Sequence, residues 1–281
     1  MKIAIIGATG FLGSHIMKYV PKKYKIVATY KDKKKINKKN LNAKQIEWKL
    51  LDIYKKKNFY KYLNSPDIVV HLAWSTLPNY DLDFHLKKEL PMQKRFVLNL
   101  VSNGLKNIFI AGTCFEYGNQ GGKLNENIKE IPNNKYSKAK CKLKNYVFLL
   151  KKKYQFNLTW GRIFYIYGKH NSRPTLYNQV LKSSKKNNSK ITVFGNILRN
   201  YLHINVISKI IIFLILARKD FGLINICSGK GISLKTLIKR ISKLENIVPN
   251  VKYIKNISQS KEPNKFWGCN MKLKYSLKSN N

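Results

Sequence analysis

The chain is 281 residues long, 44% hydrophobic, and carries 55 Lys and Arg against 13 Asp and Glu, a formal net charge of +42. That length holds one large core or two modest ones, and that apolar content excludes a disordered chain. The most apolar later stretch, Ile210 to Ala217, is too short to cross a bilayer, so no membrane partner is expected.

An excess of cations this large also fits a nucleic-acid binder, because cationic side chains replace phosphate counterions. Only six of the basic residues are Arg, and the Lys are spread along the chain. A nucleic-acid reader favours Arg, whose fork makes bidentate contacts. A composition rich in Lys, Asn and Ile throughout explains the charge better, and nucleic acid is not the expected partner. The charge still attracts anionic ligands, nucleotides included. Cys114, Cys141, Cys227 and Cys269 form no C-x-x-C pair. Neither a metal site nor a disulfide framework is expected, and a reducing cytoplasm fits.

Taken in order, the first half alternates short β-branched runs with longer helical patterns, as parallel sheets with crossover helices do. The opening apolar run Lys2–Ile6 leads straight into a Gly-rich turn and reads as a strand, not a signal peptide. The pattern then predicts a helix over Phe11–Val20, strands over Lys25–Tyr30 and Gln45–Lys49, and a short helix around Phe59–Leu63. A strand over Ile68–Leu72, a helix over Leu90–Asn103 and a strand over Asn107–Ala111 follow. A helix over Lys135–Lys153 and a strand over Asn157–Ile163 close this half. The charged run Lys31–Lys39 reads as a solvated loop. After Tyr167-Gly168 the rhythm changes. A polar break over Ser183–Lys190, a short strand from Ile191, an apolar helix over Val206–Ala217, a strand over Gly222–Cys227 and a helix from Ser233 remain.

Gly7-Ala-Thr-Gly10-Phe11-Leu12-Gly13 follows the first strand and opens the first helix. Glycines there let the backbone turn tightly against a pyrophosphate seated on the helix N-terminus. The expected fold is therefore α/β: a Rossmann-type doubly wound parallel sheet over residues 1–166. A smaller C-terminal α/β substrate-binding lobe would cover residues 167–281, with some segments returning to the first domain.

The G-x-x-G-x-x-G spacing resembles the extended short-chain dehydrogenase/reductase family of sugar-nucleotide epimerases, dehydratases and ketoreductases, and further motifs carry the likeness over nearly the whole chain. The resemblance implies a nicotinamide cofactor held by Gly7, Gly10, Phe11, Leu12 and Gly13. Where NAD-binding members place an Asp at the end of the second strand, this chain has Tyr30 followed by Lys31. That cation suits the extra phosphate of NADP, with NAD the alternative. Asp52 and Ile53 fall at the family's adenine contact. Leu72 and Ala73 fall beside the cofactor ribose, and the neighbouring His71 is expected to be structural.

Tyr136-Ser-Lys-Ala-Lys140 lies on a predicted helix, where spacing of four puts both side chains on one face. A free phenol has a pKa near 10, and an ammonium close by is expected to lower it. In the family a Ser or Thr four residues before a Tyr-Gly pair supplies the third catalytic hydroxyl, and Thr113 occupies that place before Tyr117-Gly118. The implied roles are proton exchange by Tyr136, a hydrogen bond from Thr113 to the substrate oxygen, and Lys140 tuning Tyr136 and holding the nicotinamide ribose.

Dehydratases of the family carry acidic residues directly after this Thr, where Cys114 and Phe115 stand. Glu116 is out of register and, on a strand, would point away, so dehydration is not expected. Phe164 falls near the nicotinamide. Tyr165, His170, Arg199 and Lys261 fall where the family contacts substrate. His170 is a minor candidate for acid–base work, Arg199 reaches for the diphosphate, and Lys261 replaces an Arg without its fork. Wording around "HLAW", "GTCFEYG" and "EPNKFWG" is most similar to bacterial reductases of dTDP-4-keto-6-deoxyhexoses, which make deoxy sugars for surface polysaccharides. The resemblance thus implies a 4-ketoreductase acting on a nucleotide sugar. A 4-epimerase is the runner-up, and a non-catalytic nucleotide- or RNA-binding protein is a third class. Family helices pair across a dimer axis, which implies a homodimer.

Overall fold

The computed structural model describes residues 1–36, 43–55, 58–169, 175–184, 190–194, 197–254 and 263–278. Strands and helices are numbered in chain order. Seven parallel strands form the main sheet: β1 (Lys2–Ile6), β2 (Lys25–Tyr30), β3 (Ile46–Leu50), β4 (Ile68–His71), β5 (Asn107–Thr113), β7 (Asn157–Ile163) and β12 (Gly222–Ile226). Their spatial order is β12-β7-β5-β4-β1-β2-β3, which reverses direction at β1. β1 and β4 are apolar almost throughout because helices cover both faces of the sheet.

One covering layer holds α2 (Phe59–Tyr62), α3 (Leu90–Ser102) and α4 (Lys135–Tyr154), with Phe96, Val97, Leu100, Leu143 and Val147 in the core. The other holds α1 (Phe11–Ile16), α6 (Ile204–Leu216) and α8 (Met271–Lys278), through Ile16, Ile207, Ile211 and Leu273. From the second half, α6, α8 and β12 pack with the main sheet, β12 pairing with β7 from Gly222↔Thr159 to Ile226↔Ile163.

A smaller unit consists of α5 (Leu176–Ser183), α7 (Leu234–Glu245), β9 (Ile191–Phe194) and β14 (Val251–Ile254), packed through Tyr177, Val180, Val193, Leu237 and Ile241. Short pairs line its junction with the sheet: β8 (Tyr165–Tyr167) with β11 (Tyr201–His203), β10 (Leu198–Arg199) with β13 (Ile232–Ser233), and β6 (Gly122–Leu124) with β15 (Phe266–Gly268).

Differences from the sequence expectation have local causes. The first helix stops at Ile16 and tightens to a 3-10 turn over Met17–Tyr19, since Val20 precedes Pro21 and takes an extended conformation. Lys33–Lys35 form a 3-10 turn capped by Asp32, whose carboxylate accepts the Lys34 N–H at 3.0 Å; residues 37–39 of that run lie outside the described residues. β5 runs two residues further than expected and so delivers Thr113 to the sheet's carboxyl edge.

Asn225 on β12 ties the returning strand to its surroundings. It is fully buried and accepts the Tyr117 hydroxyl at 2.9 Å. Its Nδ2 donates to the Leu124 carbonyl at 3.0 Å, and its backbone N–H donates to Glu126 at 2.8 Å. Asn225→Ala removes these side-chain bonds, though the Tyr117 hydroxyl keeps the Asn125 carbonyl and the Leu124 carbonyl keeps the Cys269 N–H, and should cost about 1–3 kcal/mol, seen as a lower urea midpoint with unchanged slope.

Candidate functional site

Parallel strands put all their carboxyl ends on one edge, where ligands bind in open α/β sheets. The loops after β1, β4 and β5 meet there. Gly7 takes φ +87°, and a Cβ built on it would lie 3.2 Å from the Ala73 backbone N. A Cβ on Gly13 would stand 2.3 Å from the Gly7 carbonyl oxygen, so only glycine lets α1 dock against the turn. Gly10 N-caps α1 without any side-chain cap. Phe11 and Leu12 follow in the first helical turn, half-buried. The structure thus brings Gly7, Gly10, Gly13 and Ala73 together, and the Leu72 N–H is held by the Ile6 carbonyl at 3.0 Å.

Thr113 ends β5 and Tyr136 and Lys140 lie in the first turns of α4. Asn134 caps that helix, accepting the Ser137 N–H at 2.8 Å. Tyr136 and Thr113 face each other closely enough for the Thr113 hydroxyl to favour the phenolate. All three residues are buried. The Lys140 ammonium donates to the Ala111 carbonyl at 2.8 Å and sits 4.1 Å from the Trp74 ring centre. It is 5.9 Å from the Tyr136 ring centre. Here the expected lowering of the phenol pKa fails. Burial, then the Glu116 carboxylate and Tyr80, push Tyr136 well above the ordinary phenol value, against a smaller opposing effect of the Thr113 hydroxyl. The cation is instead engaged by Ala111 and Trp74. Burial lowers Lys140 itself to about 8, against the pull of Glu116 and Glu89.

An aromatic cage that sequence reasoning left out holds the phenol ring. Trp74, Tyr80 and His85 each place a ring centre 5.6 Å from that of Tyr136. The Tyr136 N–H donates to the Tyr80 carbonyl at 2.8 Å. His85 is fully buried, with Nδ1 accepting the Trp74 indole N–H at 3.1 Å and Nε2 facing the Asn79 carbonyl at 2.7 Å. The rings lie on the loop after β4 and the following turn, where no periodic pattern marks them.

Glu116 is the clearest correction. It does not point away on a strand. Cys114–Tyr117 form a 3-10 turn that carries the carboxylate inward, where it accepts the Thr113 N–H at 2.9 Å, the Trp160 indole N–H at 3.0 Å and Arg162 Nε at 2.8 Å. Thr113 in turn accepts the Phe115 N–H, completing a reciprocal cap. A Cβ on Gly112 would lie 2.3 Å from the Trp160 indole nitrogen, so glycine makes room for this arrangement. Glu130 pairs with both Arg162 and Lys144. Glu116, Glu130 and Cys141 stand close enough to hold a metal ion, but the two carboxylates already serve cations.

The other expected contacts divide. Lys31 is exposed, its ammonium 5.2 Å from the Tyr54 ring centre and 3.4 Å from the Ser75 hydroxyl. Asp52 accepts the Tyr54 N–H at 3.0 Å, and Ile53 is buried with its carbonyl on Arg95. Phe164 packs its buried ring near Tyr117, Cys227 and Gly268. Tyr165 stands among Phe115, Tyr201 and Phe266. Arg199 is no surface cation: it is 4% exposed, donates to the Leu198 and Asn264 carbonyls, and lies 4.3 Å over the Phe266 ring. His170 and Lys261 lie outside the described residues. His71 is buried against Gln93, and burial lowers it to about 4, the structural role expected.

Residues 3–227 match the NAD dependent epimerase/dehydratase family. The chain belongs to that family. A family relative, the dTDP-6-deoxy-L-talose 4-dehydrogenase (NAD(+)) of Aggregatibacter actinomycetemcomitans, is 27% identical over 272 residues, covering 96% of this chain and 100% of the relative. Among solved structures, UDP-glucuronic acid 4-epimerase from Bacillus cereus in complex with NAD superposes with a TM-score of 0.81 at 21% identity, over 99% of this chain and 92% of that one. UDP-N-acetylglucosamine 4-epimerase from Methanobrevibacter ruminantium M1 gives 0.82 at 18% identity, over 98% and 91%. Both share the Rossmann-type fold. No helix among the described residues is long and apolar enough to cross a membrane.

The Glu116 hub makes a direct prediction. Glu116→Gln leaves Arg162, 1% exposed, without its charged partner on Nε. Thermal and urea unfolding should report a loss of about 3–5 kcal/mol.

Proposed function

We propose that the protein is a nucleotide-sugar 4-ketoreductase, reducing C4 of a 4-keto-6-deoxyhexose carried on a nucleoside diphosphate. One observation carries the reading: Thr113 at the end of β5 is buried next to Tyr136, with Lys140 a helical turn away, beside the Gly7–Gly13 turn. The relative at 27% identity, a deoxysugar 4-dehydrogenase by name, supports the class of substrate and the position of attack.

The glycine turn fits a dinucleotide, since glycine at 7 and 13 lets the turn pack tightly on Ala73 and on α1, the geometry in which backbone N–H groups at a helix N-terminus meet a pyrophosphate. Gly7, Gly10, Phe11, Leu12, Gly13, Ala73 and Lys140 would hold it. When bound, its nicotinamide supplies or accepts a hydride at the carbinol carbon. The remaining work is done by side chains of this chain. A phenol whose pKa is raised keeps its proton at neutral pH, so Tyr136 donates a proton to the ketone oxygen as negative charge develops there. Thr113 hydrogen-bonds the same oxygen and orients it. Lys140, fixed by the Ala111 carbonyl, contributes positive charge to the pocket. Neither the Cys114 thiol nor the Phe115 ring can remove the second proton that dehydration requires. The Glu116 carboxylate is spent on Trp160 and Arg162. Arg199 and Tyr165 mark the side where the sugar nucleotide would enter, and the lobe over residues 167–281, less its returning segments, would cover it.

Lys31 favours NADP, since it supplies a cation where a carboxylate would reject the extra phosphate; the relative's name carries NAD(+). The cofactor proposed is NADP, with NAD tested beside it.

The deciding incubation gives the protein a dTDP-4-keto-6-deoxyhexose with NADPH, and with NADH in parallel. A reductase oxidises the cofactor stoichiometrically, whereas a 4-epimerase, which needs the same triad, shows no net cofactor turnover. Tyr136→Phe should lower kcat about 10²–10⁴-fold while cofactor binding persists; full activity in that variant overturns the mechanism. Because kcat/KM reports the free enzyme, it should also fall as pH rises through about 8, where the Lys140 ammonium loses its proton.

A further inference from the structure

Glu89 is a buried carboxylate that the chemistry above does not use. It is 1% exposed, closes the turn His85–Glu89 that opens α3, and, among the described residues, no cation pairs with it. Three donors hold it. One oxygen accepts the Tyr54 hydroxyl, and the other accepts the Ser75 backbone N–H at 3.3 Å and Gln93 Nε2 at 2.8 Å. Gln93, fully buried, also donates to the Ala73 carbonyl at 3.1 Å. Burial and the Glu89 bond both raise the Tyr54 phenol, so that hydroxyl remains a donor.

The two segments joined in this way are not neighbours in the sheet. Tyr54 follows β3 and Ser75 follows β4, and the spatial order β4-β1-β2-β3 puts two strands between them. The loops of those two strands are the Gly7–Gly13 turn and Tyr30-Lys31. The Glu89 bonds therefore span the crevice that both loops open into. Lys31 rises from that crevice and touches the same two residues, Tyr54 and Ser75.

We propose that Glu89 is a positioning residue for the dinucleotide, setting the spacing between the two walls of its groove through Tyr54 and Ser75. This rests on the proposed site reading. A groove held at the bound width needs no ordering when its ligand arrives, and that saving appears as affinity. Glu89 touches no reacting atom, so cutting its bond to Tyr54 while keeping its charge, which acts on Lys140, should weaken binding and leave the chemical step alone.

The test is direct binding of NADPH and NADH to the sugar-free protein by calorimetry, with Trp fluorescence as a second signal, for the unaltered chain, Tyr54→Phe and Glu89→Gln. Each variant should raise Kd for the dinucleotides by about tenfold, the loss expected of one hydrogen bond to a charged group. In turnover Tyr54→Phe should raise the cofactor KM by the same factor, with kcat and the sugar KM unchanged; Glu89→Gln also withdraws a charge that supports the Lys140 ammonium and is read on binding alone. Tyr54→Phe removes one oxygen atom from a half-buried ring and keeps the inference testable should Glu89→Gln fold poorly. A lower melting temperature with unchanged dinucleotide Kd in Tyr54→Phe overturns it, as does a fall in kcat at constant cofactor KM. If the unaltered protein binds neither dinucleotide, the site reading itself fails and this inference falls with it; binding by that protein with equal affinity in the variants sinks the inference alone.

Discussion

A carboxylate taken out of water must be fully served by donors, and Glu116 shows how far one such demand organises a fold. Its three partners come from two neighbouring strands: the Thr113 N–H at the end of β5, and the Trp160 indole and Arg162 guanidinium on β7. Stripping solvent from an ion costs several kcal/mol, and only these donors in register repay it. The requirement explains glycine at 112 and the tight turn at Cys114–Tyr117. It also explains why Thr113 presents its hydroxyl at a fixed place. The reacting edge is held in position by a fully buried ion pair.

The same logic recurs on the other flank, where Glu89 takes three neutral donors in place of a guanidinium. Two buried anions thus stand to either side of Lys140, and both raise its proton affinity against the larger effect of burial. The ammonium contacts neither directly, resting on the Ala111 carbonyl and the Trp74 ring. An amine placed this way responds to the field of its pocket more than to one partner. Tyr136, in an apolar cage of Trp74, Tyr80 and His85, responds in the opposite sense.

Much of this was legible in the amino-acid pattern. β-branched runs separated by helical periods gave the seven strands of the main sheet to within a residue or two, because burial on both faces leaves little choice of residue type; the short paired strands of the smaller unit and its junction, the one from Ile191 apart, escaped. The Gly7–Gly13 turn and the Tyr136–Lys140 spacing could be read because glycine and helical geometry impose fixed offsets. What escaped is non-local. Nothing near Glu116 in the chain announces Trp160 or Arg162, more than forty residues on. A strand period extended past Thr113 turned the carboxylate the wrong way. The cage rings lie in an irregular loop, and Glu89 looks like any acid in a charged turn. The phenol's expected acidity was wrong because proximity in sequence fixes a shared helix face but not which acceptor an ammonium chooses.

Because the last strand of the main sheet comes from residue 222 onward, the first 166 residues do not complete a sheet. Cut there, the chain would display β7 as a bare margin: a row of unsatisfied amides and carbonyls beside Leu158, Trp160 and Ile163, with no proline or lysine in Asn157–Ile163 to discourage pairing. Such a fragment is built to recruit a foreign strand. The late segment therefore serves as a seal as well as a structural member, and a chain released before it has emerged has to wait, sticky, for its own tail.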